Sequence, residues 1–301
     1  MTDIRTLDLE FYGAEGVIAS FLAPTDSGFV LLESGPASTL GALEKRAGEA
    51  GFSIEDLRAV FLTHVHLDHA GGAGVLARRT GCRVFAHPAG AEHLVAPERK
   101  LLPSAERLYG DLMEPLWGTT VGVPEEQLTT VGDGERVHID GLEVRGWHTP
   151  GHAVHHVAWQ VGEAVATGDV AGVRFPGATH VLPPMPPPDI DVEAWRGSLD
   201  LLRRIEAQLL LLTHFGPFDD VARHLDELET RICRWLAMAE DVVTEGGDTK
   251  ALAEKLEAED RREMESADVP EEAVVRYRRL CPMEGNSAGL HRYVLKRVMQ
   301  D

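Results

Sequence analysis

"FLTHVHLDHAGG", running from Phe61 to Gly72, is the stretch on which the reading of this chain turns. Three histidines and an aspartate crowd into the six positions His64 to His69, behind the apolar run "LRAVFLTH" and ahead of Gly71 and Gly72. A short apolar run that ends abruptly in polar groups reads as a buried strand delivering side chains to the loop at its end. Such loops are where scaffolds present chemistry. In an extended segment residues two apart point to the same side, so His64 and His66 can face one ion. Asp68 and His69 come where the chain turns into the helical "GGAGVLARR" and can face a second. Imidazole and carboxylate are the ligand set of zinc and other first-row divalent ions.

The same pattern returns further along. His152 follows a strand in "HTPGHAVHH", Asp169 closes the hairpin "HVAWQVGEAVATGD", and His214 closes the apolar run "LLLLTH". The opening stretch therefore reads as half of a two-metal site whose other half arrives later in the chain.

Composition limits the partners. With 301 residues and 44% hydrophobic content there is ample material for a packed core, and one large domain with a smaller appendage is expected. The formal net charge is -20, from 49 acidic and 29 basic residues, a field that repels phosphate backbones and speaks against nucleic acid as a partner. Cys82, Cys233 and Cys281 are odd in number and far apart, which makes no disulfide framework and fits a reducing compartment. "MTDIRTLDLEFYG" has neither a basic nor an apolar targeting segment, and no run approaches the roughly 18 apolar residues of a membrane span. A cytoplasmic protein acting on a small molecule, with no membrane contact, is expected.

Around the motifs, "GVIASFLA" and "GFVLLESG" read as a hairpin. "TLGALEKRAGEAGF" reads as a helix stopped at Gly51, and "CRVFAHP" as a further strand. From Ala89 to Pro124 the pattern is helical but broken at Pro97, Pro103 and Pro115, as in an insertion. Thr129–His152 returns to strands, and "PPMPPPDID" (Pro183–Asp191) is a stiff loop with five prolines. A helix capped by Asp191 follows, and beyond Pro217 the chain is helical and highly charged. Strand-rich halves each followed by helices suggest an α/β protein with sheets packed between helices.

"THVHLDHAGG" resembles the HxHxDH motif of the metallo-β-lactamase superfamily. "HTPGHAVHH", "ATGDV" and "LLTHFGP" resemble its second histidine, bridging-aspartate and last histidine motifs, in the family's order. The resemblance spans roughly residues 10–217. It implies a four-layered αβ/βα sandwich with the site at one edge between the sheets. The catalytic domain would cover residues 1–217, with 89–124 as a lid-like helical insertion and 218–301 as an acidic helical C-terminal region. It implies that His64, His66 and His152 bind one metal and Asp68, His69 and His214 a second. Asp169 would bridge them, with a water or hydroxide as the other bridge. Asp68 would also orient that water or take its proton, so Asp68 and Asp169 are the expected catalytic carboxylates. The cofactor would be two divalent ions, zinc foremost, with iron and manganese also suited to mixed His/Asp sites. One departure is "LLESG": many relatives carry Asp-Thr-Gly where this chain has Glu33-Ser34-Gly35. Lying outside the ligand set, it is given no role at this stage.

The superfamily hosts many chemistries, so the fold alone does not choose among them. Flavodiiron relatives carry Glu where this chain has His66, persulfide dioxygenases use one iron, and nucleases add basic surfaces. β-Lactamases commonly put cysteine at the position of Asp169. What remains is a dinuclear metal-dependent hydrolase of a thioester or ester, with a lactonase as the nearest alternative and an iron-dependent redox enzyme or a nuclease behind it. Tyr109 and Trp117 in the insertion, Arg174 after Asp169, and His180 near the proline loop are the candidate substrate contacts. His155 is expected to be exposed, His156 to sit behind the ligands, and His87, His93, His138 and His224 to have no part in the site. Helically spaced apolar residues among the charges of the tail, such as Tyr277, Leu280, Leu290 and Tyr293, imply that it docks on the core or on a second copy in a homodimer.

Overall fold

In the computed structural model, which describes residues 3–299, two six-stranded sheets lie face to face. The first comprises β1 (Arg5–Asp8), β2 (Ala19–Thr25), β3 (Gly28–Leu32), β4 (Leu57–Phe61), β5 (Arg83–Ala86) and β6 (Leu128–Thr130), adjacent in chain order. The second comprises β7 (Arg136–Ile139), β8 (Leu142–His148), β9 (Val157–Val161), β10 (Ala164–Ala166), β11 (Leu209–Leu212) and β12 (Gly216–Phe218), also in chain order. The hairpin expected at the start is β2–β3, paired Phe21 to Leu32 and Thr25 to Gly28. From β3 to β6 the pairing is parallel, so each step needs a crossover.

The crossovers and flanks are α1 (Leu40–Glu49), α2 (Leu67–Ala70), α3 (Ala73–Thr80), α4 (Ala91–Val95), α5 (Leu101–Tyr109) and α6 (Met113–Trp117). In the second half, α7 (Val192–Arg204) crosses between the parallel strands β10 and β11, and after β12 come α8 (Val221–Thr244), α9 (Thr249–Ser266), α10 (Glu271–Leu280) and α11 (Met283–Val298). The strand period of two sorts the apolar side chains between faces. Phe21, Val30, Leu32 and Phe61 meet Val157, Trp159 and Leu211 between the sheets. Their neighbours Leu22, Phe29, Leu31 and Val60 turn the other way, onto Leu43 of α1 and Leu76 of α3. On the far side, Val165, Leu210 and Leu212 pack with Trp195 of α7 and Leu225, Leu228 and Trp235 of α8. The order of layers is helix, sheet, sheet, helix, the four-layered α/β sandwich expected, with a C-terminal helical region.

The tail docks on the core. Leu256 of α9, Tyr277 of α10, and Leu290 and Val294 of α11 share one continuous apolar cluster with the second sheet. The insertion packs more lightly: Leu67, Ala105 and Trp117 form a small cluster, with Phe11 stacked on Trp117 at 5.5 Å between ring centres. Leu67 precedes Asp68, so this cluster braces the turn that carries the second half of the opening motif.

Removing residues beyond Gly246 should therefore unseal the second sheet's helical cover rather than shave off an appendage. The expected result is a lower, broadened thermal transition and binding of a hydrophobic dye. A truncated protein with the full-length melting temperature would show that α9–α11 add nothing to the core.

Candidate metal centre

The end of β4, the β8–β9 loop, the segment after β10 and the end of β11 all arrive at one edge of the sandwich, and they bring seven side chains together. His64, His66, His152 and Asp169 place one ligand atom each within 4.8 Å of one another, and so do Asp68, His69 and His214. His66 Nδ1 lies 2.9 Å from His64 Nε2 and 3.1 Å from His152 Nε2. Asp169 straddles the groups. Its Oδ2 lies 3.4 Å from His152 Nε2, and its Oδ1 lies 3.4 Å from His69 Nε2 and 3.5 Å from His214 Nε2. Asp68 Oδ2 completes the second group, 3.4 Å from His214 Nε2 and 3.6 Å from His69 Nε2.

Four of the rings are aimed by hydrogen bonds on the far side. His152 Nδ1–H donates to Pro184 O at 2.9 Å and His214 Nδ1–H to Val17 O at 3.0 Å. His69 Nδ1–H donates to Glu33 Oε1 at 2.9 Å. His64 Nδ1–H donates to Thr63 Oγ1 at 3.0 Å, and the Thr63 hydroxyl passes its own proton on to Glu33 Oε1. Thr63 N and Thr213 Oγ1, beside His64 and His214, also donate to Glu33, at 3.2 and 3.3 Å. Glu33 is fully buried, with a left-handed φ of 74° at the end of β3. This residue, given no role from the sequence, is the common anchor behind both halves of the centre. The signal was there: "GFVLLE" is one more apolar strand ending in a carboxylate.

The charges fit two cations. Burial, reinforced by the neighbouring imidazoles, keeps His64 well below the ordinary histidine range and brings His66 to about 3, and burial lowers His152 too. These rings are neutral. With their own protons spent on Thr63 and Pro184, His64 and His152 both point lone pairs at His66 Nδ1, which can satisfy at most one of them. In the second group burial works against charge, yet Asp68, Asp169 and Glu33 outweigh it and hold His69 well above its usual range. His69 and His214 in turn overcome burial to hold Asp68 at about 2, and His69 and His152 keep Asp169 well below the carboxylate range. His69 Nε2 and Asp169 Oδ1 are buried without any hydrogen-bond partner. Crowded lone pairs and buried polar atoms without partners are costly unless a cation sits among them.

The centre opens into a cavity of about 730 Å³. Tyr109 and Trp117 line it, their rings edge to face at 5.0 Å. Loss of solvent around its hydroxyl and the charge of Asp68 push the Tyr109 phenol up to about 12, so it remains a donor. Arg174 and His180 do not line it, which corrects the expectation that they meet substrate. Arg174 is 8% exposed and held by Ala178 O at 2.9 Å and Asp220 Oδ1 at 2.6 Å, above the Phe218 ring. His180 is buried between Asp260 Oδ1 at 2.7 Å and Arg231 at 3.0 Å. A buried charge or ring nitrogen must be paired inside the protein, and these pairs are already made. His155, expected at the surface, is 5% exposed and lines the cavity, as does His93. His156 stands behind the ligands, its Nδ1 bonded to Thr149 Oγ1 at 2.8 Å and its ring stacked on His64.

The tail also reaches the centre. Met185 N donates to the buried Asn286 Oδ1 at 2.8 Å, and a Cβ on Gly289 would stand 2.0 Å from Met185 O. Helix α11 thus lies directly on the proline loop whose Pro184 carbonyl aims His152.

A layered α/β sandwich with paired His/Asp clusters at one edge of its sheets is a scaffold that could hold metal ions. Residues 13–214 match the metallo-beta-lactamase superfamily, and the chain belongs to it. The chain is 31% identical over 170 residues to the metallo-beta-lactamase fold-containing protein ST1585 of Sulfurisphaera tokodaii, a match covering 56% of this chain and 64% of that one. It spans less than two thirds of that relative's length. It is 26% identical over 256 residues to a hydroxyacylglutathione hydrolase of Acidiphilium cryptum, covering 81% of each. A metallo-beta-lactamase family protein of Thermus thermophilus, TTHA1429, superposes with a TM-score of 0.68 at 20% identity, over 98% of this chain and 94% of that one, and so shares the fold.

Glu33→Gln keeps the shape but removes the charge that orients His64 and His69. Disturbing such partners costs ~10–100-fold in metal affinity, and here the loss should appear in both binding steps of a zinc titration. Asn286→Ala acts only through the proline loop, so a smaller loss should be confined to the His64/His66/His152 step. Unchanged affinity in both variants would reduce these contacts to packing.

Proposed function

We propose that the protein is a dinuclear metal-dependent hydrolase cleaving a carboxylic thioester or ester. The observation that carries this reading is Asp169, one carboxylate shared between two complete His/Asp clusters that open into a single cavity. Zinc is the proposed metal at both. A pair of divalent ions, when bound, supplies an activated water at neutral pH and polarisation of the scissile carbonyl. His64, His66 and His152 would hold one, Asp68, His69 and His214 the other, and Asp169 both.

The chain's own groups do the rest. Asp68 lines the cavity and presents a carboxylate that can hold the proton released as water adds to the acyl carbon. The C–S or C–O bond to the leaving group then breaks, and the departing thiolate or alkoxide takes that proton, giving an acid and a thiol or alcohol. Tyr109, protonated at the cavity wall, can donate a hydrogen bond to the substrate. The names of two relatives support acyl-transfer chemistry: the hydroxyacylglutathione hydrolase above, and an atrochrysone carboxyl ACP thioesterase of Aspergillus fumigatus, 27% identical over 179 residues covering 59% of this chain and 32% of that one.

Metal-loaded protein should carry two divalent ions per chain by elemental analysis and cleave thioesters or esters in a panel that also contains lactones, phosphodiesters and β-lactams. Asp169→Asn should lose at least ~100-fold in rate, the upper range for a disturbed metal shell. A stoichiometry that never exceeds one ion, or near-normal activity in Asp169→Asn, defeats the reading.

A further inference from the structure

The cavity has a chemistry of its own beyond the ligands. Its volume, about 730 Å³, is that of a site for a drug-sized molecule, far more than a two- or three-carbon acyl group fills. Its walls come from three places outside the sheets. The insertion contributes α5 and Trp117, the proline loop contributes Pro184 and Pro186–Pro188, and the tail contributes Leu280, Cys281 and Pro282 at the α10–α11 junction. These surfaces are apolar or nearly so.

Helix α5 carries a second pattern. Leu101, Ala105 and Leu108, spaced four and three apart, form an apolar stripe along the cavity. Lys100, Ser104 and Arg107 repeat the spacing one residue earlier and form a polar, basic stripe beside it, with Arg99 at its start. Lys100 is paired with Glu92 at 2.9 Å, whereas Arg99 and Arg107 make no ion pair among the described residues. In a chain with formal charge -20, the permanent charges lining the cavity outside the ligand set are these three cations and Asp189. Local charge opposite in sign to the whole molecule, on side chains free of carboxylates, is what an anionic ligand group requires.

We propose that the substrate is amphiphilic: an acyl thioester or ester whose acyl part is an extended apolar chain, lying along α5 and the α10–α11 junction, and whose leaving group carries an anion held by Arg99 and Arg107. This rests on the hydrolase reading for the scissile bond, but the ligand class follows from the walls alone. Both arginines are exposed, so the anion sits at the mouth and stays partly hydrated. The acyl chain takes the covered surface, where each methylene removed from water adds affinity.

The test separates binding from cleavage. S-alkyl thioethers of coenzyme A, which are anionic and cannot be hydrolysed, and S-alkyl thioethers of N-acetylcysteamine, which are neutral, are titrated calorimetrically into metal-loaded protein. Affinity should rise roughly two- to fourfold per methylene until the cavity is filled. Arg99→Glu/Arg107→Glu should weaken the coenzyme A series about tenfold or more, leave the N-acetylcysteamine series in place, and leave metal content and melting temperature unchanged. Gly285 on α11 lines the cavity, and a Cβ there meets nothing within 4 Å. Gly285→Leu should therefore fill part of the space and move the optimum to shorter chains. Affinity that is flat with chain length, or an arginine effect equal in both series, overturns the proposal. The expected binding pattern with no cleavage of the matching thioesters would sink the hydrolase reading and leave the ligand class standing.

Discussion

Everything at this centre depends on lone pairs being held in place where water cannot hold them. Imidazole rings rotate, and a neutral ring has a donor and an acceptor that are easily exchanged. Here the Nδ1 side of His64, His69, His152 and His214 is tied to the fold, so Nε2 has one direction left. Two of the ties go to main-chain carbonyls, Pro184 and Val17, which move only if their segments move. The other two converge on one carboxylate, Glu33, directly or through Thr63. A buried carboxylate is held by the several donors it accepts from, and His69 beside it, pushed toward its charged form, adds a counter-charge at 2.9 Å. The anchor and the rings it aims therefore stabilise each other, and they leave inward-facing acceptors that a cation completes.

The sequence was legible where the physics is local. The short, nearly continuous apolar runs of β2, β3, β4 and β9 report directly on buried strands, and the crowding of His64 to His69 behind one of them reports on a site at its end. What escaped was non-local. Glu33 lies 36 positions before His69, and nothing in "LLESG" says that the chain turns left-handed there and aims a carboxylate behind the ligands. Arg174 and His180 looked available because their partners, Asp220, Asp260 and Arg231, lie on helices whose docking no spacing reveals. His155 was read as exposed, yet the insertion folds over it: Gly90, at the insertion's start, lies against its side chain. The tail's apolar residues were read correctly as needing cover, while the choice between core and second copy required the contacts themselves.

Charge illustrates the same division. A formal charge of -20 describes the average surface and speaks against polyanions as partners. It says nothing about a cleft. Arg99 and Lys100, just before α5, and Arg107 within it line one cavity because the insertion folds over the centre.

Ligands and walls have different origins. The seven side chains of the two His/Asp clusters lie in or just beyond strand ends and are fixed by the sandwich, whereas the cavity walls come from the insertion, the proline loop and the α10–α11 junction, all outside the sheets. Such an arrangement lets the walls change without moving the ligands, which is how one fold serves many substrates. The separation is incomplete at one place. The proline loop is wall on its cavity side and, through the Pro184 carbonyl, part of the support of His152. Asn286 and Gly289 of α11 press on that same loop at Met185. A change that reshapes this wall must therefore keep the Pro184 carbonyl where it is, or it alters the metal site together with the pocket. The insertion has no such tie to a ring nitrogen. Its link is packing alone, Ala105 and Trp117 against Leu67 beside Asp68, and it is the wall that carries Arg99, Arg107 and the apolar stripe of α5.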